Sequence, residues 1–159
     1  FKIKSNIYSA IKNSFIQMLE FFKKKHDLKY FNIYLYDVFG HGDKRDKIFN
    51  AIINCHKKNK VLKIQSPKNL IAPIFIKDVC NVINKYILNK KRAKEIHINS
   101  GKIISLQKLS VIAKSVLINL QIKLLKNEKK DYLKIYKLKK YKISKNLEST
   151  LKDFFKEYV

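Results

Sequence analysis

The sequence is poor in the residues that build tight turns and covalent cross-links. Its 159 residues include three glycines, two prolines, two cysteines and no tryptophan. Cys55 and Cys80 lie far apart and neither belongs to a C-x-x-C pair, so the sequence offers neither a disulfide framework nor a cysteine zinc site. We predict that both thiols are reduced and that the protein is cytoplasmic.

Signals for a membrane or a metal are also missing. No apolar run approaches the ~20 residues of a membrane-spanning helix, and residues 1–4 (FKIK) do not begin a signal peptide. The four histidines are scattered, and none stands at metal-ligand spacing from another histidine or a cysteine. We therefore predict no membrane partner and no metal site. The first residue is not methionine, which predicts a chain that is truncated at its front.

Arginine is scarce although the chain is strongly basic. It has 36 basic and 12 acidic residues, a formal net charge of +24, yet only Arg45 and Arg92 are arginine. A basic chain is typical of nucleic-acid-binding proteins, but phosphate and base recognition favours arginine over lysine. We interpret the lysines mainly as compositional drift. A small lysine-rich nucleic-acid-binding protein is the alternative hypothesis, with residues 128–145, which interleave tyrosines and lysines, as its binding segment.

Apolar residues make up 46% of the chain, and their spacing alternates between helical and extended periods. Helical spacing at about residues 7–25 precedes a β-rich run at residues 30–37 (YFNIYLYD), which is typical of a strand in a parallel sheet. Later helices include one with Ser105 as its N-cap and a last one capped by Ser144. The alternation predicts an α/β fold. Five phenylalanines are predicted core residues: Phe15, Phe21, Phe22, Phe154 and Phe155.

A Y-x-x-x-K pattern on the first predicted helix has the residue types for proton transfer. Tyr8 and Lys12 are one turn apart, so their side chains share one helical face. A free tyrosine, with a pKa near ~10, is a poor base at neutral pH, whereas a neighbouring ammonium group favours the phenolate. Such a pair can carry a proton to or from a substrate hydroxyl.

The pattern alone has little weight in a sequence so rich in lysine. Nine tyrosines and 34 lysines in 159 residues give about two matches by chance, and the chain has four, which begin at Tyr8, Tyr86, Tyr136 and Tyr141. Context selects Tyr8, because its helix is followed by the strand at residues 30–37 and then by residues 37–48 (DVFGHGDKRDKI).

This succession resembles the extended short-chain dehydrogenase/reductase family, and within it the NAD-dependent epimerases/dehydratases that modify sugar nucleotides. Their D-x-Y-G-P-x-D-x-R-x-K-L pattern is matched in order and spacing by Asp37, Phe39, Gly40, Asp43, Arg45, Lys47 and Ile48. Residues 71–79 (IAPIFIKDV) resemble the family's R-D-F-I-Y-V-D-D-V stretch. Residues 95–106 are similar to its Y-N-[VI]-G-x-G-x-x-x-S-[LVI] element. The resemblance thus runs along essentially the whole chain.

The resemblance implies a fold and an activity. The 159 residues would form a single partial domain, the carboxyl-terminal portion of a Rossmann-like NAD(P)-binding fold with the small substrate-binding lobe. The enzyme would epimerise, dehydrate or reduce the sugar of a nucleotide sugar, with NAD or NADP as cofactor. Tyr8 would exchange a hydroxyl proton, and Lys12 would favour its phenolate and bind the nicotinamide ribose. Asp37, Gly40 and Arg45 would line the substrate side, and the helix with Tyr8 would contribute to a homodimer.

Some features depart from the family pattern. Its proline after Gly40 is His41 here, and its arginine and aspartate before the F-I-Y-V stretch are replaced by Ile71 and Ala72. The glycine-rich G-x-x-G-x-x-G turn that holds the cofactor pyrophosphate has no counterpart. We therefore expect that the amino-terminal cofactor-binding half is absent and that the chain is inactive alone. A gene remnant or an assembly fragment without activity is a further alternative.

Overall fold

The structure, a computed structural model, describes residues 7–88, 95–125 and 146–159. The elements in these ranges are, in chain order, α1 (Ile7–His26), β1 (Asn32–Leu35), β2 (Asp37–Phe39), α2 (Ile48–Lys57), β3 (Leu62–Ile64), β4 (Leu70–Ile71), β5 (Pro73–Phe75), α3 (Ile76–Leu88), β6 (Glu95–Ile98), β7 (Ile104–Ser105), α4 (Leu106–Lys114), β8 (Ile122–Leu124) and α5 (Leu147–Lys156). The α/β fold predicted from the sequence is confirmed.

The chain forms two compact units. The first comprises residues 1–33 and 92–96, and the second comprises residues 34–91 and 97–159. Helix α1 belongs to the first unit. The segment from β2 through α3 and the carboxyl-terminal helices α4 and α5 belong to the second.

Helix α1 has its apolar residues at helical spacing, as predicted, but none of its side chains is buried. Phe15, Phe21 and Phe22 are exposed, so the prediction that these three are core residues is wrong. The reason is that helical spacing marks an apolar face but does not require that another element cover it.

The strands of the second unit pair mainly in parallel. β2 and β5 are parallel, with Asp37 opposite Pro73 and Phe39 opposite Phe75. β3 and β8 are also parallel, and β4 and β7 are antiparallel. β1 and β6, which do not belong wholly to this unit, form a separate hydrogen-bonded pair. Pro73 stands first in its strand, where its missing N–H costs no ladder hydrogen bond.

The core of the second unit lies between these strands and helices α2, α4 and α5. Helix α2 buries Phe49, Ile52 and Ile53, whose spacing places them on one face. The helix α5 residues Phe154 and Phe155 are buried as predicted. The side chains that they join in one hydrophobic cluster include Phe39, Leu62, Ile64, Leu109, Leu117, Leu120 and Leu151.

The two predicted helix caps have different outcomes. The Ser105 hydroxyl accepts a hydrogen bond from the Lys108 N–H at 3.0 Å, so Ser105 caps α4 as predicted. Ser144 lies outside the described residues, and the prediction that it caps the last helix is wrong. Helix α5 begins at Leu147, and its cap is Asn146, whose side-chain oxygen accepts from the Glu148 N–H at 3.2 Å.

Candidate functional site

Tyr8 and Lys12 lie on successive turns of α1. The Nζ of Lys12 is 5.6 Å from the centroid of the Tyr8 ring, and the Tyr8 side chain is 67% exposed. An exposed phenol with an ammonium group beside it can reach a ligand and hydrogen-bond to it. The structure therefore brings the predicted catalytic pair together within the first unit.

The other Y-x-x-x-K matches differ in their surroundings. Tyr86 is buried in α3, with only 6% of its surface exposed, so its hydroxyl is poorly placed to meet a substrate. The matches that begin at Tyr136 and Tyr141 lie outside the described residues. Burial thus separates Tyr8 from Tyr86, although their sequence patterns are equivalent.

Asp37 and Gly40 are held by contacts within the second unit. One carboxylate oxygen of Asp37 (Oδ2) accepts a hydrogen bond from the Ala72 N–H at 2.8 Å, which ties the start of β2 to the start of β5. Gly40 is buried against Ile76, the first residue of α3. A Cβ atom on Gly40 would overlap the Cγ2 methyl of Ile76 and would lie 3.0 Å from its Cβ. Asp37 therefore fixes the start of β2, and Gly40 the backbone that follows its end.

Arg45 forms a bidentate salt bridge with Asp43. The guanidinium Nη2 lies 2.6 Å from Asp43 Oδ2, and Nε lies 2.8 Å from Oδ1, which also accepts from the Arg45 N–H at 3.0 Å. Nη2 donates to the Val38 carbonyl at 3.4 Å as well. Fork-to-fork geometry of this kind fixes the plane of the guanidinium group. The remaining terminal nitrogen, Nη1, takes no part in these contacts.

This ion pair shifts the pKa of both partners. Hydrogen bonds from the Arg45 side chain and backbone lower the pKa of Asp43 from 3.8 to about 2, against a smaller opposing effect of burial. The hydrogen bond to Asp43 raises the pKa of Arg45. Since folding lowers the pKa of Asp43, the pair stabilises the fold above pH 3.8, and this contribution is lost as the pH falls towards 2.

We expect the Asp43→Asn variant to be less stable than the wild-type chain at pH 6, by on the order of 1 kcal/mol, since the pair is partly exposed. The difference should shrink as the pH falls below 4. The measurement is the unfolding free energy from urea titrations of both proteins between pH 6 and pH 3. A difference that stays constant over this range would contradict the assignment.

A cleft of about 520 Å³ opens beside Arg45. The segment 42–46 forms one wall, and the helix α2 residues Asn50, Ile53 and Asn54 and the aromatic ring of Tyr158 form the others. Asn50 also donates to the Arg45 carbonyl at 2.6 Å, which holds the loop against α2. The lining combines a cation pair, Lys44 and Arg45, with carboxylates, amides and one aromatic ring, which suits a polar ligand that carries charge.

Three residues of this site were not identified from the sequence: His41 as an anchor, and Glu157 and Tyr158 as its partners. The Nε2 of His41 lies 3.1 Å from Glu157 Oε1, and Nδ1 lies 3.3 Å from the Tyr158 hydroxyl oxygen. More than a hundred residues of chain separate these partners, so no local pattern could have paired them.

The described residues fit only part of a nicotinamide cofactor. Gly40 and Gly42 follow β2, as a dinucleotide-binding turn would, but α2 begins only at Ile48 and the Asp43 carboxylate stands between. No helix N-terminus directly follows the glycines, so the backbone N–H groups that hold a pyrophosphate in such a turn are not assembled there. The Tyr8–Lys12 pair, in contrast, can hydrogen-bond a ribose hydroxyl.

Two further findings concern the described residues alone. No helix among residues 7–88, 95–125 and 146–159 is long and apolar enough to span a membrane. In the same part of the chain, no group of three or more His, Cys, Asp or Glu side chains is placed to hold a metal ion. The basic segment 128–145 of the nucleic-acid hypothesis lies entirely outside it.

The α/β fold with parallel strand pairs places the chain in the class of Rossmann-like α/β proteins. Within that class the chain belongs to the NAD dependent epimerase/dehydratase family, whose model matches residues 3–101. The family predicted from the sequence is therefore confirmed. The match does not favour the nucleic-acid alternative.

Solved structures of this family share the fold. The chain is similar to dTDP-glucose 4,6-dehydratase from Bacillus anthracis in complex with NAD, with a TM-score of 0.80 and 15% identity over 97% of this chain and 52% of that chain. It is also similar to UDP-glucuronic acid 4-epimerase from Bacillus cereus in complex with UDP-glucuronic acid and NAD, with a TM-score of 0.77, 16% identity and coverage of 95% and 52%. The predicted portion of a Rossmann-like fold is confirmed.

A curated relative is CDP-abequose synthase from Salmonella typhimurium, 28% identical over 104 residues, which cover 63% of this chain and 35% of the relative. The enzyme of the same name from Yersinia pseudotuberculosis is 30% identical over 78 residues, 49% of this chain and 27% of the relative. The chain thus spans about a third or less of these curated relatives and about half of the solved structures.

Proposed function

We propose that these 159 residues form the proton-transfer and substrate side of an NAD(P)-dependent enzyme that epimerises, dehydrates or reduces a nucleotide sugar. The observation that carries the proposal is the exposed Tyr8–Lys12 pair on α1, with Lys12 Nζ 5.6 Å from the Tyr8 ring, in a chain of the epimerase/dehydratase family. Solved structures with this fold include a complex with NAD, a complex with NADP, and a complex with UDP-glucuronic acid and NAD.

Tyr8 is the proposed proton carrier. Its phenolate accepts a proton from a sugar hydroxyl when the carbon that bears the hydroxyl is oxidised, and its phenol returns a proton when a carbonyl is reduced. The ammonium group of Lys12, on the next turn of α1, donates a hydrogen bond to a ribose hydroxyl. A bound nicotinamide cofactor supplies or accepts the hydride.

Arg45 is the proposed contact to the nucleotide phosphates. Asp43 holds the guanidinium plane in place, so little conformational entropy is lost when Nη1 binds an oxyanion. Asp37 and Gly40 contribute to the same substrate side by setting the backbone that leads into residues 42–45. The cleft beside Arg45 has the polar and aromatic lining that such a ligand requires.

Further parts of the proposal follow from composition and exposure. Cys55 and Cys80 are free thiols, which supports action in a reducing compartment such as the cytoplasm. The exposed apolar face of α1 supports a homodimer that includes this helix. The glycine-rich turn for a pyrophosphate is not among the 159 residues, so we infer that they are inactive by themselves.

Nucleotide-sugar binding tests the substrate side without a cofactor. We expect dTDP-glucose, UDP-glucuronic acid or a CDP-sugar to bind the chain in calorimetric titrations. Arg45→Ala should weaken binding roughly tenfold or more, as is typical for loss of a charge-assisted hydrogen bond. Lys44→Ala is the matched control, because it removes a cation from the same cleft without touching the ion pair. Binding that is indifferent to Arg45, or absent for every nucleotide sugar, would contradict the proposal.

A further inference from the structure

The ring of His41 connects the loop after β2 to the carboxyl-terminal end of α5. The Glu157 carboxylate lies 3.1 Å from Nε2 and can only accept, so Nε2 is the donor. The Nδ1 atom, 3.3 Å from the Tyr158 hydroxyl oxygen, accepts from that hydroxyl when the ring is neutral. Both ring nitrogens are therefore hydrogen-bonded to the end of one helix.

Aromatic packing holds the same ring in place. Its centroid lies 5.0 Å from that of Phe154 and 5.9 Å from those of Phe75 and Tyr158. The side chain of His41 is consequently only 33% exposed although it belongs to a surface loop. The Tyr158 ring also contacts α2, where Lys57 Nζ lies 5.1 Å from the ring centroid.

His41 belongs to the same loop as the Asp43–Arg45 ion pair. Asp43 and Arg45 follow it closely, and Tyr158, its hydrogen-bond partner, lines the cleft together with both of them. The family pattern has proline at this position, a residue that stiffens a loop through its own backbone. Here the His41 side chain, which is hydrogen-bonded to Glu157 and Tyr158, can restrict the loop instead.

We propose that His41 is a positioning residue, which fixes the loop against α5 and thereby orients the Asp43–Arg45 pair towards the cleft. The part of this proposal that concerns ligand affinity rests on the proposed function of Arg45. The orientation of the Arg45 guanidinium group does not depend on that function and can be measured separately.

The test uses the whole chain and the NMR signal of the Arg45 Nε–H group, which reports its hydrogen bond to Asp43. His41→Phe keeps an aromatic ring but removes both polar contacts, and Glu157→Gln weakens one of them. His41→Gln retains a donor for Glu157 and serves as the conservative rescue. Asp153→Asn makes the same charge change as Glu157→Gln at a residue of α5 that forms an ion pair with Lys156.

In His41→Phe and Glu157→Gln, we expect the Arg45 signal to move towards its position in Asp43→Asn, and nucleotide-sugar affinity to fall roughly three- to tenfold. His41→Gln and Asp153→Asn should remain close to wild type in both measurements. An unchanged Arg45 signal in His41→Phe and Glu157→Gln, even with a lower melting temperature, would overturn the proposal. If the wild-type chain binds no nucleotide sugar, the proposed function fails for the chain, while the Arg45 signal still decides the role of His41.

Discussion

Replacing Tyr8 with phenylalanine is expected to lower turnover of a nucleotide sugar by roughly 10²- to 10⁴-fold, the usual contribution of a positioned proton-transfer group. The variant keeps the ring beside Lys12 and removes only the hydroxyl that we propose exchanges the proton. The measurement is kcat and KM for the natural gene product that contains these residues, with NAD or NADP present. Because the hydroxyl acts in the transition state, we expect the loss mainly in kcat.

The chain offers a matched control for this experiment. Tyr86 begins another Y-x-x-x-K match but is buried in α3. Tyr86→Phe makes the same chemical change and should leave turnover within a few-fold of wild type, corrected for any change in stability. Equal losses in the two variants, or full activity in Tyr8→Phe, would show that Tyr8 is not the proton carrier.

Replacing Gly40 with alanine is expected to destabilise the second unit by about 1–3 kcal/mol, the usual cost of inserting a methyl group into a closely packed site. The new Cβ would overlap the Cγ2 methyl of Ile76 at the start of α3. The overlap is not relieved by a simple rotation, because Cγ2 belongs to a β-branched side chain. The free energy of unfolding from urea titrations measures the effect.

Two further variants separate this overlap from other effects of glycine. Gly42→Ala has open space around its Cβ but a φ of +77°, so it should cost only about 1 kcal/mol, through backbone strain. In the double variant Gly40→Ala/Ile76→Ala, the two changes should cost less together than the sum of the single variants, because the overlap has been removed. Strict additivity would mean that Gly40 is not in a steric contact with Ile76.

The elements with strong local signals were predictable. Helix α1 is confirmed, and it was predictable because its apolar residues recur at helical spacing. The Ser105 cap of α4 was predictable because the hydroxyl and the Lys108 N–H that donates to it are only three residues apart. The run at residues 30–37, predicted as one strand, contains β1 and the first residue of β2. Asn146 was missed as a cap because Ser144, two residues earlier, carries an equally suitable side chain.

The contacts of the candidate site were less predictable. Asp43 and Arg45 could be marked by their residue types, but their two-pronged pairing depends on how the loop after Gly42 turns. The hydrogen bond from Ala72 to Asp37 crosses between strands. The burial of the three phenylalanines on α1 was predicted wrongly, because spacing reveals an apolar face and not what covers it.

The sequence by itself determined the α/β class, the family and the residue types of the Tyr8–Lys12 pair, because periodicity and motif order are local properties of a chain. Only the tertiary structure decided that Tyr8 is exposed whereas Tyr86 is buried, that Arg45 is already paired with Asp43, and that His41 is anchored on the end of α5. These properties depend on residues that are distant in sequence or on the path of a loop. They are set by burial and by long-range contacts, which the local spacing of residue types does not reveal.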